Sequence, residues 1–178
     1  MSYCPQTLSD INIECKSSIG GVKVVAIRNR DDVDKLTIVD GRVTNIGLTS
    51  GAPEDATVIA FREQTCQLSS EGTIDDVQGT HFYTHTLAFR FPRMEATKRM
   101  SIHALTHAQT IAIVKDNNSI LWLVGWEAPL HAATVTSGTG TAYSDPNEYV
   151  PALSCVSPEL LFEVDSSAAT SFLGNAVI

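Results

Sequence analysis

His103 and His107 are the best-spaced pair of possible metal ligands in the chain. On a helix, a four-residue separation puts two imidazoles on one face, as in zinc proteases, where a glutamate directly after the first histidine is the general base. Ala104 stands in that place here, and no third ligand is in view. Two polar residues closing a helix, with His107 near its C-terminus, explain the pair more simply. His81 and His85 share one face of a strand with Tyr83, but no carboxylate partner is identifiable, so a half-buried histidine with one hydrogen bond is expected. Asp31, Asp32 and Asp34 lie close to Arg28 and Arg30. A calcium loop starting at Asp31 would need Gly and Glu where Leu36 and Arg42 stand, so the cluster reads as a solvated loop. Asp75-Asp76 reads as a charged turn. Ser137-Gly138-Thr139-Gly140-Thr141 has the glycines of a phosphate cradle without the lysine or the helix that follow one. No GxSxG elbow occurs, and no Cys–His pairing can be traced by spacing. Cys4, Cys15, Cys66 and Cys155 form no CxxC pair. Reduced thiols are the expectation, with a disulfide between any two left open. Trp122 and Trp126, read as sharing one face of a strand, offer a surface for stacking a sugar or base, although tryptophans in so apolar a strand usually belong to core or interface. The residues therefore predict no enzyme, no cofactor and no metal.

Composition points the same way. The chain has 178 residues, 43% hydrophobic and 18% charged, which suits one globular domain able to build its own core. Charge is scarce against a usual figure of about 25%, so neutral polar groups or neighbouring subunits must cover some of the surface. A net charge of −8 argues against surfaces that adhere broadly to DNA or to anionic membranes. The opening MSYCPQTLSDINIECK lacks the basic start and apolar block of a signal peptide, and the longest apolar run, Ile120 to Trp126, is far short of a membrane span.

The pattern is mainly that of strands. From Tyr83 to Phe91, the odd positions carry Tyr, His, Leu, Phe and Phe, whereas Thr84, Thr86, Ala88 and Arg90 alternate with them. This period of two predicts a long ribbon with one greasy and one mostly polar face. Pro92 ends it, and a helix is expected from about Met94 to His107, with Met100, Ile102, Ala104 and Leu105 toward a sheet, Lys98 and Arg99 outward, and Glu95 paired to Arg99. Asp40-Gly41 between Leu36–Val39 and Arg42–Ile46 predicts a type I′ hairpin, and Asp116-Asn117-Asn118 a second hairpin. Other expected strands are Val22 to Ile27, Thr57 to Phe61 continuing toward Leu68 with a turn at Ser69–Gly72, Tyr149 to Cys155, and Leu160 to Val164. His131 to Tyr143 reads as a loop or a sliding hairpin. Ile120 to Val124, apolar on both faces, predicts a central strand covered by its own helix or by a neighbour. Residues 1–21 are expected to form an extended arm, 22–165 the folded domain, and 166–178 a tail that is loose or docks on another copy.

Several segments resemble the tail tube proteins of tailed phages, in particular the small virion proteins of phages with Bacteroidetes-type hosts. They are FRFPRMEATKRMSIHAL (Phe89 to Leu105), IAIVKDNNSILWLVGWEAP (Ile111 to Pro129), the Thr/Gly-rich stretch followed by SDPNEY (Ser144 to Tyr149) and, more weakly, CKSSIGGVKVVAIRNRDDV (Cys15 to Val33). The resemblance implies a β-barrel or sandwich of two packed antiparallel sheets with one flanking α-helix. It also implies hexameric rings whose inner sheets join into a continuous barrel, and stacking of the rings through loops and terminal arms. A lumen lined by a face such as Thr84, Thr86 and Ala88 would let DNA pass without sticking. The implied partners are identical copies, other virion tail proteins and DNA in transient passage, with no membrane. The implied location is the virion tail, assembled in the host cytoplasm. Trp122, Trp126, Leu121, Leu123, Phe89 and Phe91 are expected in core or subunit interface. Residues 1–20, the 47–56 loop and the C-terminal tail are expected at contacts between rings. A head–tail connector, a capsid-decorating protein and a bacterial secretion-system inner tube subunit are the alternatives, with a histidine-based metal hydrolase last.

Overall fold

Valine and isoleucine pack well on a pleated surface, and Val22–Asn29 (β1) is the hub of the larger of two sheets. A computed structural model describes residues 18–75 and 77–177. Most of the expected N-terminal arm thus lies outside the described residues. Ser18 and Ile19 are tied to Asn118, and Gly20 and Gly21 to Asn117, at the turn of a later hairpin.

The Arg28–Lys35 stretch, expected as a solvated loop, is structured. Arg28 and Asn29 finish β1, Arg30–Asp32 make one 3-10 turn, and Val33–Val39 (β2) follows. Burying the Arg28 and Val33 side chains holds the backbone in place despite the surrounding charge. Asp40 (φ 50°) and Gly41 (φ 75°) then both take the left-handed conformation of the expected type I′ turn and lead into Arg42–Leu48 (β3).

Thr57–Ile59 (β4) is shorter than expected, and Cys66–Asp75 (β5) is a separate ten-residue strand. Ser69–Gly72 is the middle of β5 rather than a turn, because each residue pairs across to Thr80–Phe89 (β6) in unbroken register. At Gly72, a Cβ would lie 3.0 Å from the Tyr83 ring, so the ring lies across a position where a side chain is missing. The ribbon alternates as its period demands, with His85, Leu87 and Phe89 buried and Thr84, Thr86 and Ala88 half-exposed. Phe91–Pro92 (β7) is a short continuation, and Ala96–His107 (α1) is the expected helix.

Two details of α1 differ from expectation. Met100 is 69% exposed while Ile102 is buried. Residues two apart on a helix lie on opposite sides, so the two cannot both face a sheet. Lys98 folds back to the Pro92 carbonyl (2.8 Å) and pairs with Glu95 (3.1 Å), the i,i+3 neighbour, in place of an Arg99–Glu95 pair.

Thr110–Asp116 (β8) and Leu121–Val124 (β9) form the expected hairpin. His131–Gly138 (β10) and Glu148–Ser157 (β11) form another, so the Ala/Thr/Gly-rich segment is mostly strand. Phe162–Val164 (β12) precedes Ser166–Leu173 (α2), a second helix where a loose or partner-bound tail was expected.

The larger sheet runs β2-β3-β12-β9-β8-β1-β4, the smaller β10-β11-β6-β5 with β7 beside β11. They pack as a sandwich, and neither closes into a barrel. Between them lie Val25, Ile27, Leu87, Phe89, Val114, Val124, Leu153 and Cys155. On the other face of the larger sheet, α2 lays Ala168, Ala169, Phe172 and Leu173 over Ala26, Val43, Ile111, Ile113 and Leu123. The doubly apolar β9 is therefore covered on both sides by its own chain: Leu123 packs under α2, and Val124 faces the second sheet.

Gly174 ends α2 at φ 66° and ψ −123°, and a Cβ there would lie 2.1 Å from the Glu54 carbonyl oxygen. A Gly174→Ala variant is expected to lose about 2–3 kcal/mol from combined backbone strain and overlap, read as a lower urea midpoint.

Candidate assembly surfaces and the groove beside the first helix

The candidate surfaces follow from the two faces of β6. Because His85, Leu87 and Phe89 point inward, their neighbours point away from the larger sheet. The register then lines up outward rows across the strands: Thr134–Ala152–Ala88–Gln67 and His131–Ser154–Thr86–Ser69 over all four, and Val156–Thr84–Glu71 over three. Glu71 is the one charged residue in these rows. The Thr84, Thr86, Ala88 face is thus part of a broad surface of small, neutral side chains.

Both long edges of this sheet lack a strand partner among the described residues. On one edge, β10 is exposed from Ala133 to Gly138; on the other, β5 is exposed from Ser69 to Ile74. Every pairing in the sheet is antiparallel, so β10 and β5 run in opposite directions. A β5 edge laid beside the β10 edge of another copy would continue the same alternation. The β5–β6 hairpin also overruns its sheet: β11 accompanies β6 only from Tyr83 to Ala88, while pairing to β5 continues out to Thr80. Near its tip, Ile74 is 68% and Val77 is 96% exposed.

A groove of about 550 Å³ separates α1 from β1 and the short edge strand β4. Val58, Ile59, Phe91, Ile102, Ala104 and Leu105 make it largely apolar. Asp32, Asp55, Arg28 and Lys98 are its charged lining residues. Arg28 is spoken for: its guanidinium donates to the carbonyls of Phe172 (2.6 Å), Pro53 (2.6 Å) and Glu54 (2.8 Å). Burial lowers its pKa, and nearby Asp32 and Asp55 favour the charged form. Arg30 lies over the Trp126 ring at 4.1 Å and donates to the Trp126 and Val33 carbonyls.

The candidate chemical residues do not converge. His103 and His107 meet edge to face at 4.8 Å on α1, and among the described residues no three metal-ligating side chains cluster. His81 bonds the Tyr83 hydroxyl at the exposed end of the ribbon, while His85 is buried beneath it. In the Thr/Gly-rich loop, the Thr141 and Ala142 amides donate to the Asp145 carboxylate, which occupies the place an anion would need. Those two bonds hold the Asp145 pKa below the usual carboxylate value. Cys66 and Cys155 are free thiols facing the inter-sheet core, pushed up by burial to about 12 and about 11. They are inert positions. Cys4 and Cys15 lie outside the described residues.

Each of the six expected core or interface residues is engaged within the chain. Phe89 is buried and stacks on Phe91 at 5.6 Å, Leu123 is buried, and Leu121 packs with it under α2. Trp122 and Trp126 do not share a face. Gly125 at φ 92° turns the chain between them, so Trp122 packs toward the second sheet and Trp126 toward the α2 side. Arg28 and α2 escaped the sequence reading. Asp165 before the helix, Gly174 after it and apolar residues at 168, 169, 172 and 173 are the signal that marks α2. Nothing local marks Arg28.

His85 makes a pH-dependent contribution. Its Nε2–H donates to the Glu159 carbonyl (3.1 Å), and the buried Nδ1 has no partner. Burial lowers its pKa, and the Glu159 bond partly opposes this. The unfolded chain, with an ordinary histidine near 6.5, therefore takes up a proton that the folded state refuses. Stability from this group is complete above about pH 6.5 and is lost as pH falls toward the folded pKa. Between about pH 7.5 and 5.5 the urea midpoint is expected to fall, and His85→Gln to flatten that slope.

No family model matches this chain, and neither a curated protein nor a solved structure is significantly similar to it. Over the described residues, the fold itself defines a mainly β protein, a two-sheet sandwich with two helices.

Proposed function

We propose that this chain is a structural subunit that assembles with identical copies into a ring or tube, specifically a phage tail tube or tail-ring protein that gives DNA a passage without binding it. The observation that carries this reading is the β10-β11-β6-β5 sheet, with two long edges of opposite direction that lack a strand partner among the described residues. Exposed edges of this length template pairing with other chains, and closing them into a ring removes the hazard. A β5-to-β10 contact is heterologous, the kind that generates rings when its rotation closes. The Thr84, Thr86, Ala88 face would then line the inside. The one arginine continuing that series, Arg90, is paired with Glu148 at 3.7 Å, and the net charge of −8 adds repulsion toward phosphate. Such a subunit needs no cofactor and performs no catalysis.

Negative-stain microscopy and particle mass of the purified protein test this directly. Rings or tubes with a central channel are the expected images. A monomeric particle at high protein concentration would remove the proposal.

A further inference from the structure

The two edges of the smaller sheet match in length, face and hydrogen-bond phase. The exposed stretch is Ser69–Ile74 on β5 and Ala133–Gly138 on β10, six residues each. The strands run in opposite directions, so these stretches pair end to end, Ser69 with Gly138 and Ile74 with Ala133. Faces agree in that register. Val135 pairs with the buried Pro151, and Gly72 pairs with Tyr83, which alternates in phase with the buried His85, so both positions lie on the core side of the sheet. A slip of one residue would turn every side chain of one strand to the wrong side. Phase agrees because hydrogen-bonded and non-hydrogen-bonded pairs alternate across an antiparallel row, and four strands return to the starting phase.

We propose that Val135 of one copy seats opposite Gly72 of the next, against the Tyr83 ring, with Ala133–Gly138 hydrogen-bonded along Ser69–Ile74. A Cβ at Gly72 would lie 3.0 Å from that ring, so the ring covers the glycine and meets a side chain arriving from the free edge. Val135 is 41% and Ile74 is 68% exposed in the single chain, and the seat sets them as diagonal neighbours beside Tyr83. On the outward face Thr134 meets Thr73 and Thr136 meets Glu71, so no like charges oppose each other. Within one copy Thr134 shares a row with Gln67, whereas Thr73 of the neighbour is six residues further along β5. That stagger, about 20 Å over four strands spaced about 4.8 Å apart, tilts the strands by roughly 45° to the ring axis, as in closed barrels. The register rests on the assembly proposed above and names the residues that join its subunits.

Thr73→Cys and Thr134→Cys are introduced together in a Cys4→Ser, Cys15→Ser background, and the protein is oxidised mildly. A ladder of covalent multimers that stops at the ring number is the expected result on a non-reducing gel. Thr73→Cys with Thr136→Cys, the pair that a two-residue slip would join, is expected to give no ladder. Particle mass is measured on the same samples and on the parent protein. Assembled particles without the first ladder, or with a ladder only in the slipped pair, overturn this register and leave the assembly standing. A parent protein that stays monomeric overturns both.

Discussion

Replacing Arg28 with alanine is expected to cost about 3–5 kcal/mol, because three carbonyls each lose a hydrogen bond to a charged donor worth roughly 1.5–3 kcal/mol, part of which water in the groove replaces. The residue is only 4% exposed, and one guanidinium satisfies three carbonyls from two places: the end of α2 at Phe172 and the loop at Pro53 and Glu54. Alanine would leave the buried Phe172 carbonyl short of a donor, while the part-buried Pro53 and Glu54 carbonyls would turn to water in the groove. Phe172 lies in the last turn of α2, where the helix dipole favours a cation. The guanidinium also lies over the Phe172 ring at 5.6 Å. Lysine keeps the charge but not the planar fork, so Arg28→Lys is expected to recover only part of the loss. The measurement is the urea midpoint, together with limited proteolysis between β12 and α2, because release of α2 exposes that junction first. An unchanged midpoint and an unchanged cleavage pattern would show that the clamp contributes nothing.

Thr134→Glu combined with Thr136→Glu is expected to abolish assembly while leaving the subunit folded. Both residues are exposed on the outward face of β10, so they carry little of the core. Two carboxylates along this edge would meet the acidic β5 edge of a neighbour, and inserted edge charge is how natural sheets prevent further pairing. Sedimentation should shift from a ring or tube to a monomer, with thermal stability close to that of the parent protein. If the double variant still forms particles of parental mass, β10 is not the joining edge.

Different parts of this architecture were legible to different degrees. Alternation in β6 is written residue by residue, because a strand with one buried face obliges every second side chain to be apolar. The Asp40-Gly41 turn is equally local, since positive φ at both positions selects those residue types. The β8–β9 hairpin and α1 follow from comparable short-range rules. Ser69–Gly72 misleads for a physical reason: serine and glycine favour turns, but here the pairing with Thr86, His85, Thr84 and Tyr83 overrides that preference. The helix α2 is obscured by its short length and by Ser166, Ser167, Thr170 and Ser171, which favour caps and turns over helix interiors. Burial of Phe172 and Leu173 stabilises it, not intrinsic propensity.

The sequence by itself determined a mainly β chain with specific strands, a type I′ turn and one flanking helix, because each depends on neighbours a few residues apart. Tertiary structure alone decided that Arg28 is a buried clamp, that Trp122 and Trp126 part to opposite faces, and that β5 and β10 end up as the two edges of one sheet. Those outcomes depend on contacts between residues as distant as Arg28 and Phe172, and no local pattern encodes which carbonyl a guanidinium will find or which strand will lack a partner.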